Sequence, residues 1–397
     1  MNERVVHLHM GRSVHPLYRE QLHSIPPGFA YRASHPDLRD PTTPTRLIVS
    51  RRSRMPRVRE HAERAALRAL SRAGYLRRDR VRPEPGAALI HSAELLVKDA
   101  PLPYVVDFEH VEVFVLYQRI ALSRPWARQR LRAALEDPRC RFVLPWTDFA
   151  RRGLMAAIGP EASARINARA ITVLPAIRPV TSRPRERAPG PLRLLFIGTA
   201  FLEKGGVEAV RAVRRLRATH DVRLELISYV PPEWSRELEG DEAITVHAPG
   251  GRDLVERLYA GADALLFPSH MDTYGYVVLE AMAHGVPVVA PGHQALPELV
   301  EHEVSGLLFG SENPLYGADG LGRFPHTLPP PRAYRRALAA PGERYVEGIT
   351  RTLARLADEA GLHERLAGGA LARVTEGPLS MQRRREHLAA IYAASLA

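Results

Sequence analysis

Two carboxylates stand inside an apolar strand-helix-strand pattern in the second half of the chain. The runs 264–267 and 286–290 are apolar throughout, which predicts two strands of a parallel sheet that is covered on both faces. Asp272 lies in the loop after the first run, at the strand end where open α/β sheets bind ligands. Glu280 lies on a helix face without other charges. A carboxylate there needs a partner, because burying one unpaired is costly. One interpretation is that the two carboxylates bind a polar ligand. The alternative is that Asp272 caps a loop and Glu280 is a tolerated charge on a helix.

A glycine-containing turn connects a second apolar run, 192–197, to a helical pattern over 207–216. A turn that begins at Gly198 in this setting directs backbone N–H groups and a helix N-terminus toward a bound anion. Lys204 would add a full positive charge beside a diphosphate. Of the 56 basic residues only Lys98 and Lys204 are lysines. Position 204 has thus kept a lysine in a chain whose basic residues are otherwise almost all arginines. The alternative is a surface lysine at a helix start, where a cation opposes the helix dipole.

Three motifs follow one another at compatible spacing. Asp272 and Glu280 form an acid-x7-Glu pair, and the glycine and lysine of the turn are six positions apart. Residues 296–309 contain a Pro-Glu-x-Val type segment followed by Gly-Leu-Leu. Together these motifs resemble those of retaining GT-B glycosyltransferases of family 4, and the resemblance covers about residues 192 to 310.

The resemblance implies an α/β fold of the GT-B type, with two Rossmann-like domains facing each other across a cleft. It also implies metal-independent transfer from a nucleoside-diphosphate sugar, with retention of configuration and without a cofactor. Lys204 would stabilise the leaving diphosphate, Glu280 would bind the ribose hydroxyls, and Asp272 would hold the sugar ring. Asp272 stands where the family usually has Glu, and Thr199 stands where it usually has Arg. The predicted catalytic residues are Lys204, Asp272, Glu280 and His110, and the predicted donor-binding residues are Gly198, Thr199, Lys204, Gly205, Thr273, Tyr274, Gly275 and Glu280.

The first half of the chain also alternates strand and helix patterns, which predicts a second parallel sheet. The predicted strands cover 5–10, 87–91, 104–108, 141–144 and 171–174, and the predicted helices cover 125–135 and 147–158.

Histidines end or occupy several of these predicted strands. In the resembling family, a histidine at the position of His110 faces the cleft and touches the donor sugar, and His91 is a similar candidate. A structural histidine is the alternative for both. His7 and His9 share one strand face, a spacing that could hold a metal, but no third ligand is evident in the sequence. We therefore predict no metal site.

The charge is divided unevenly along the chain. Residues 1–183 contain 32 Lys and Arg against 17 Asp and Glu, a net charge of +15, whereas residues 184–397 contain 24 and 27, a net charge of −3. A linker rich in Pro and Arg covers 178–191. Two halves of different charge predict two domains with different ligands.

The predicted domains are an acceptor-side domain over 1–183 and a donor domain over 191–378. In the resembling fold the last helix, 379–397, crosses back to the first domain. A Pro/Gly-rich insertion, 311–343, interrupts the donor domain, either as a lid or as a surface loop.

The composition restricts the cellular setting. No stretch approaches the roughly 20 apolar residues of a membrane span, and the N-terminus has no secretory apolar core. A single cysteine, Cys140, excludes an internal disulfide and a cysteine-based zinc site. We expect a cytoplasmic protein, located at the inner membrane face if its acceptor is lipid-linked.

The segment 51–82 contains 12 arginines against three acidic residues. Its helix-permissive part, 57–76, has a modest apolar strip between the arginines. Such a helix can lie on an anionic membrane that carries a lipid-linked acceptor. A solvated surface and a nucleic-acid contact are the alternatives. Nucleic acid is not expected, because no recognition motif or aromatic platform accompanies the arginines.

The sequence thus predicts a glycosyltransferase that uses a nucleotide sugar and a glycan or lipid-linked acceptor. A GT-B-fold nucleotide-sugar epimerase or phosphorylase is the alternative enzyme. The alternative without enzymatic activity is a basic binding module, in which the sheet domains support an arginine-rich arm.

Overall fold

The computed structural model describes residues 3–11, 14–33, 35, 66, 69–70, 73–116, 119–310, 315–317, 334, 338 and 342–397. Within these ranges the chain forms two larger parallel sheets with helices around them. The α/β class that the sequence predicts is confirmed.

The first sheet is built from five strands: β1 Arg4–His9, β2 Phe29–Ala33, β4 Ala87–Ala93, β6 Tyr104–Phe108 and β7 Cys140–Pro145, while β3 Arg78–Asp79 and β5 Leu96–Val97 pair separately. Its order is β2-β1-β4-β6-β7, with all pairs parallel. Its helices are α1 Pro16–Leu22, α2 Pro125–Leu135, α3 Asp148–Ile158 and α4 Pro160–Asn167, with 3-10 turns at Val111–Val115 and Arg119–Ser123. Every residue of β6 is buried, as expected for an inner strand covered on both faces.

The second sheet has six strands: β8 Leu192–Ala200, β9 Val222–Tyr229, β10 Ile244–His247, β11 Ala264–Leu266, β12 Val288–Pro291 and β13 Gly306–Phe309. Its order is β10-β9-β8-β11-β12-β13, again with parallel pairs. Its helices are α5 Gly206–Leu216, α6 Pro232–Leu238, α7 Arg252–Gly261, α8 Tyr276–Ala283, α9 Leu296–Leu299, α10 Glu343–Asp358 and α11 Leu362–Thr375. The strand order reverses beside β8, so the loops after β8 and β11 meet at the sheet edge that binds ligands in such folds.

One strand prediction is wrong. Residues 171–174 run beside β7, where the amides of Ile171 and Val173 donate to the carbonyl oxygens of Val143 and Pro145. In a parallel ladder, a further hydrogen bond between these two would be donated by the amide of residue 145. Pro145 has no N–H to donate, so the segment forms a single bridge, between Val143 and Ala170, and no strand.

The two sheets share one apolar cluster. It contains Leu17 and Trp146 from the first half and Phe267 and Tyr274 from the second, all nearly inaccessible to solvent. The Tyr274 hydroxyl also donates to the Pro175 carbonyl at 2.8 Å. This cluster fixes the positions of the loops that face each other between the sheets.

The last helix, α12 Met381–Leu396, lies against the first sheet rather than the second. It contacts β4 and β7, and its residues Leu388 and Tyr392 pack with Val6 and Leu89. The chain therefore passes between the two halves twice, once before β8 and once before α12.

Two predicted segments lie largely outside the described residues. Most of 51–82 belongs to them, so the predicted basic helix over 57–76 stays a prediction. Of the insertion 311–343, the described side chains of Leu315, Tyr316 and Tyr334 pack against Phe149. Among the helices that the structure describes, none is long and apolar enough to cross a bilayer.

Candidate functional site

A cavity of about 410 Å³ lies between the facing edges of the two sheets. From the second sheet it is lined by five residues that the sequence analysis selected: Gly198, Thr199, Lys204, Asp272 and Glu280. His15 and Glu20 line it from the first half. The structure therefore brings the turn after β8 and the acid-x7-Glu pair to one space.

Lys204 is held directly beside Asp272. Its Nζ donates to Asp272 Oδ2 and to the Met271 carbonyl, both at 2.7 Å, and lies 5.9 Å from the centre of the Phe267 ring. The lysine stem packs over Gly198, where an added Cβ would come within 2.7 Å of the lysine Cβ and Cγ. This close approach explains why the turn needs glycine six positions before the lysine.

Two further glycines shape the loops around the cavity without lining it. Gly205 has a φ of +77°, and an added Cβ would lie 2.0 Å from the Pro268 carbonyl oxygen. Gly275, with a φ of +88°, is the N-cap of α8. Side chains at these two positions would be strained, so both glycines set the course of the loops that position Lys204 and Asp272.

The Asp272 carboxylate is oriented from two sides. Oδ1 accepts from the Tyr274 amide at 3.1 Å, which forms a turn typical of aspartate, while Oδ2 receives Lys204. The Asp272 amide donates to Gln294 Oε1 at 3.3 Å. These hydrogen bonds therefore hold the carboxylate in one orientation beside Lys204.

Glu280 lines the cavity from helix α8. Burial raises the pKa of its carboxyl group to about 7, against the opposing influence of the Tyr259 hydroxyl and Arg252. The Tyr259 oxygen is 3.3 Å from Glu280 Oε2, and the hydroxyl also donates to the Val277 carbonyl at 3.1 Å. Near neutral pH this carboxyl group can both donate and accept hydrogen bonds.

His110 and Tyr274 lie apart from the cavity wall. His110 is fully buried at the end of β6, stacked on Phe149 with a centroid distance of 5.6 Å and edge-on to Tyr316 at 6.0 Å. Tyr274 is 2% exposed and packs against Trp146. Thr273 also lies outside the lining. The predicted donor contacts of these residues stay predictions.

His91 belongs to a buried polar network that joins β4 and β6 to α12. Its Nε2 is 3.3 Å from Asp107 Oδ2, and its Nδ1 contacts the Tyr392 hydroxyl. Asp107 also accepts from the Tyr18 hydroxyl at 2.7 Å and lies 3.7 Å from Arg384. Burial raises the pKa of Asp107, but His91, Arg384 and Tyr18 outweigh it and leave the pKa below its usual value. This network favours the structural alternative for His91.

His7 and His9 have the stacked arrangement expected of one strand face, with ring centroids 6.2 Å apart. His9 Nε2 lies 3.3 Å from Asp79, and His7 Nδ1 accepts from the Glu84 amide. Within the described residues there is no group of three or more His, Cys, Asp or Glu side chains suited to a metal ion.

Sequence reasoning missed several functional candidates. Four residues that were not predicted also line the cavity: His15, Arg252, Tyr259 and His284. Pro16 begins α1, and a proline at the start of a helix was the signal that His15 caps it. His284 contacts the Glu280 carbonyl at the four-residue spacing of a helix, which the sequence shows. Tyr259 reaches Glu280 from helix α7, and no pattern in the sequence connects these two.

A second missed contact joins the two halves through Glu298. Its Oε2 accepts from the Asp148 amide at 2.7 Å and its Oε1 from the Phe149 amide at 2.8 Å. These two amides belong to the first turn of helix α3, where the helix dipole favours a negative charge. Burial raises the pKa of Glu298, and the two amides oppose that increase. The Pro-Glu segment therefore fastens the second half to a helix of the first.

Residues 191–324 match the family model of group 1 glycosyl transferases. Over these residues the chain is similar to this family. Curated relatives include a D-inositol 3-phosphate glycosyltransferase of Saccharomonospora viridis, 30% identical over 240 residues, which are 54% of this chain and 50% of the relative. The lipopolysaccharide glucosyltransferase WaaG of Escherichia coli is 32% identical over 100 residues, 24% of this chain and 27% of the relative. The match thus spans half or less of these relatives.

Similar solved structures cover the whole chain. The Anabaena protein HepE, crystallised in complex with UDP, superposes with a TM-score of 0.57 at 13% identity, covering 98% of this chain and 100% of HepE. A glycosyltransferase from Rickettsia africae gives a TM-score of 0.56 at 10% identity, covering 100% and 99%. These likenesses confirm the GT-B fold that the motifs predict.

Proposed function

We propose that this protein transfers a sugar from a nucleoside-diphosphate sugar to an acceptor, with retention of configuration and without a metal ion. The observation that carries the proposal is the cavity between the two sheets, where Lys204, Asp272 and Glu280 converge. A cavity of this volume, lined by a cation and by a buried carboxyl group, fits a ligand that has both phosphates and hydroxyls.

The phosphate end of the ligand would lie at Lys204. The Lys204 ammonium group and the backbone of the turn at Gly198 and Thr199 face the same part of the cavity. As the bond from sugar to phosphate breaks, negative charge develops on the leaving diphosphate. A cation already in place there stabilises this charge without reorganisation at the moment of reaction, which is the most effective form of electrostatic catalysis.

The ribose end would lie at Glu280. A carboxyl group that both donates and accepts hydrogen bonds suits a pair of neighbouring hydroxyls, and Tyr259 holds it from behind. Asp272 stands beside the lysine, where the transferred sugar joins the diphosphate, and would bind a sugar hydroxyl. Retention of configuration is proposed from the resemblance to the family alone.

The comparisons support the choice of a first ligand. HepE was crystallised with UDP and with UDP-glucose, and its chain is covered almost completely by this one. UDP and UDP-glucose are therefore the first probes, with GDP-, ADP- and dTDP-sugars as the other members of the panel.

A thermal-shift panel of these nucleotide sugars tests the proposal. Binding to the native state should raise the melting temperature for at least one donor. Release of nucleoside diphosphate together with a glycosylated acceptor identifies a transferase. Turnover that needs inorganic phosphate or water instead indicates a phosphorylase or an epimerase. If no nucleotide raises the melting temperature, the basic binding module is the remaining alternative.

For the acceptor, we propose a glycan or lipid-linked molecule presented at an anionic membrane. The first half carries the net charge of +15. Its described surface has Leu70, Tyr75 and Trp126 at 36%, 40% and 36% exposure. The ring of Trp126 lies against Gly74, and the Arg130 guanidinium lies 5.6 Å from its centre. Aromatic side chains beside arginines are typical of surfaces that contact lipid headgroups.

A further inference from the structure

His15 lines the cavity from the half opposite Lys204. It is the N-cap of α1, where its Nδ1 accepts a hydrogen bond from the Leu17 amide at 3.2 Å. Its ring meets Trp146 and Tyr276 edge-on, with both centroid distances at 5.0 Å. One side of the imidazole is therefore bonded to the helix, and two aromatic rings restrict the orientation of the ring.

This orientation fixes the position of the proton. Because Nδ1 accepts from a backbone amide, the neutral ring must carry its hydrogen on Nε2. Burial lowers the pKa of His15 to about 4, although Asp107 and Asp272 oppose the decrease. His15 is thus an uncharged donor over the physiological range. Among the described residues its Nε2–H has no hydrogen-bond acceptor, and the side chain borders the cavity.

The charges around the cavity indicate what this donor serves. The His15 ring packs on Tyr276, the first residue of α8, which lies four positions after Asp272 in the chain. In this cavity the Lys204 charge is opposed by Asp272, and Thr199 adds no charge. A diphosphate beside Lys204 has more acceptor oxygens than this lysine can satisfy. A neutral N–H supplies a further bond without adding a charge.

We propose that the Nε2–H of His15 donates to a phosphate oxygen of the bound nucleoside diphosphate, and so binds the ligand from the first half while Lys204 binds it from the second. This inference rests on the proposed function and adds to it a phosphate-binding residue from the first half. It makes the diphosphate a bridge between the two halves of the molecule.

The test compares nucleoside diphosphate affinity in two matched variants. In His15→Asn, the shorter amide still caps α1, because asparagine is among the best N-cap residues, but it cannot reach the ligand. In His23→Asn, the same change falls on the exposed histidine that follows the same helix. The dissociation constants of UDP, GDP, ADP and dTDP are measured by calorimetry, and the melting temperature of each unliganded protein is measured alongside.

We expect His15→Asn to weaken the diphosphate that binds the wild type by about tenfold, as for loss of one hydrogen bond to a charged group. His23→Asn should change it by less than twofold. The loss should be the same at pH 6 and pH 8.5, because the donor is neutral at both. Affinity retained within twofold by His15→Asn, or lost only at pH 6, overturns the inference. If no nucleoside diphosphate binds the wild type, the proposed function itself fails.

A third variant covers a general disturbance of the cavity wall. His15→Gln places an amide N–H near the position of the imidazole Nε2 but loses the ring packing. Recovery to within threefold of wild-type affinity is expected if the donated bond is what matters. If His15→Gln binds as poorly as His15→Asn although both remain folded, the ring acts through packing and the donor role is wrong.

Discussion

Lys204 and Asp272, which we propose bind a diphosphate and its sugar, form an ion pair with each other. Their Nζ–Oδ2 distance is 2.7 Å, and their side chains are 21% and 15% exposed. Partly buried pairs of this kind gain little net energy, because desolvation offsets much of their attraction. A diphosphate with two or three charges can therefore displace the aspartate from the lysine at low cost.

Replacing Asp272 with Asn should tighten the binding of nucleoside diphosphate and slow sugar transfer. The change removes a negative charge that both competes for Lys204 and repels phosphate, so we expect the dissociation constant of UDP to fall about three- to tenfold, or 0.7–1.4 kcal/mol. Transfer should slow because an amide holds the sugar hydroxyl less strongly. Calorimetry with UDP measures the first effect. Asp253→Asn, on an exposed turn of α7, is the charge-matched control. Weaker UDP binding in the Asp272 variant would contradict this arrangement.

Lys204→Ala should lower turnover about 10²- to 10³-fold, the usual cost of removing one group that stabilises developing charge. Lys98→Ala removes the other lysine of the chain, which is exposed, and should leave turnover unchanged. Steady-state rates of nucleoside diphosphate release provide the measurement. Equal rates in the two variants would show that the turn after β8 does not bind the diphosphate.

Glu280→Gln should weaken nucleotide binding and at the same time stabilise the unliganded protein at neutral pH. The folded-state pKa of about 7 lies above the unfolded value of 4.5, so wild-type stability falls as pH rises from about 4.5 to 7 and then levels off. Glutamine has nearly the same shape and no charge. The variant should therefore gain on the order of 1–2 kcal/mol at pH 7.5, since water in the cavity screens part of the penalty, and nothing below pH 4.

Urea unfolding at pH 4 and pH 7.5, together with calorimetric titration of UDP, separates the two effects. Glu364→Gln, on an exposed face of α11, is a control for the removal of one negative charge. Unchanged nucleotide affinity in the Glu280 variant would remove the ribose role. A stability difference that does not depend on pH would mean that this carboxyl group has the same pKa in the folded and unfolded protein.

The sequence analysis selected residues that line one cavity where their positions depend on local order along the chain. The turn from Gly198 to Lys204 and the pair Asp272 and Glu280 each lie within one strand-loop-helix unit, so spacing along the chain determines their geometry. His15 and Glu298 were missed because each acts across the gap between the two sheets, and no local periodicity records which loops face each other. The strand predicted at 171–174 failed for a related reason: its partner residue is Pro145, and a segment's own pattern does not reveal its neighbour.

Glu298→Gln should loosen the attachment between the two halves. The variant keeps its shape but replaces charge-assisted bonds to the amides of Asp148 and Phe149 with weaker ones, and one of its two side-chain positions becomes a donor facing a donor. We expect a loss of about 1.5–3 kcal/mol in the free energy of unfolding. Glu364→Gln, on an exposed face of α11, should change stability by less than about 0.5 kcal/mol.

Small-angle scattering of the Glu298 variant supplies the matching structural measurement. A larger radius of gyration without UDP, which returns to the wild-type value with UDP, is expected if ligand and carboxylate hold the same two halves together. A variant that is less stable but no larger would show that Glu298 supports α3 locally and not the contact between halves.

The acceptor proposal predicts binding to anionic but not neutral vesicles. The charge asymmetry of +15 against −3 exceeds what a donor site in the second half requires, and 12 of the arginines lie within 51–82. Attraction to an anionic bilayer is worth about 1 kcal/mol per basic residue near the surface and is screened by salt over about 10 Å at 0.1 M. Vesicle sedimentation should therefore show binding that weakens steadily as salt rises.

Charge-matched variants locate the surface that binds. Four arginines of the first half are replaced with glutamine: Arg57, Arg64, Arg68 and Arg72. The control replaces four exposed arginines of the second half: Arg211, Arg257, Arg344 and Arg351. Both changes remove four positive charges, but only the first should weaken vesicle binding, by 10²-fold or more, while UDP affinity stays the same in that variant. Equal weakening in both would indicate attraction by net charge alone. A wild-type protein that ignores anionic vesicles at low salt would make the arginine-rich segment a solvated surface and the acceptor a soluble molecule.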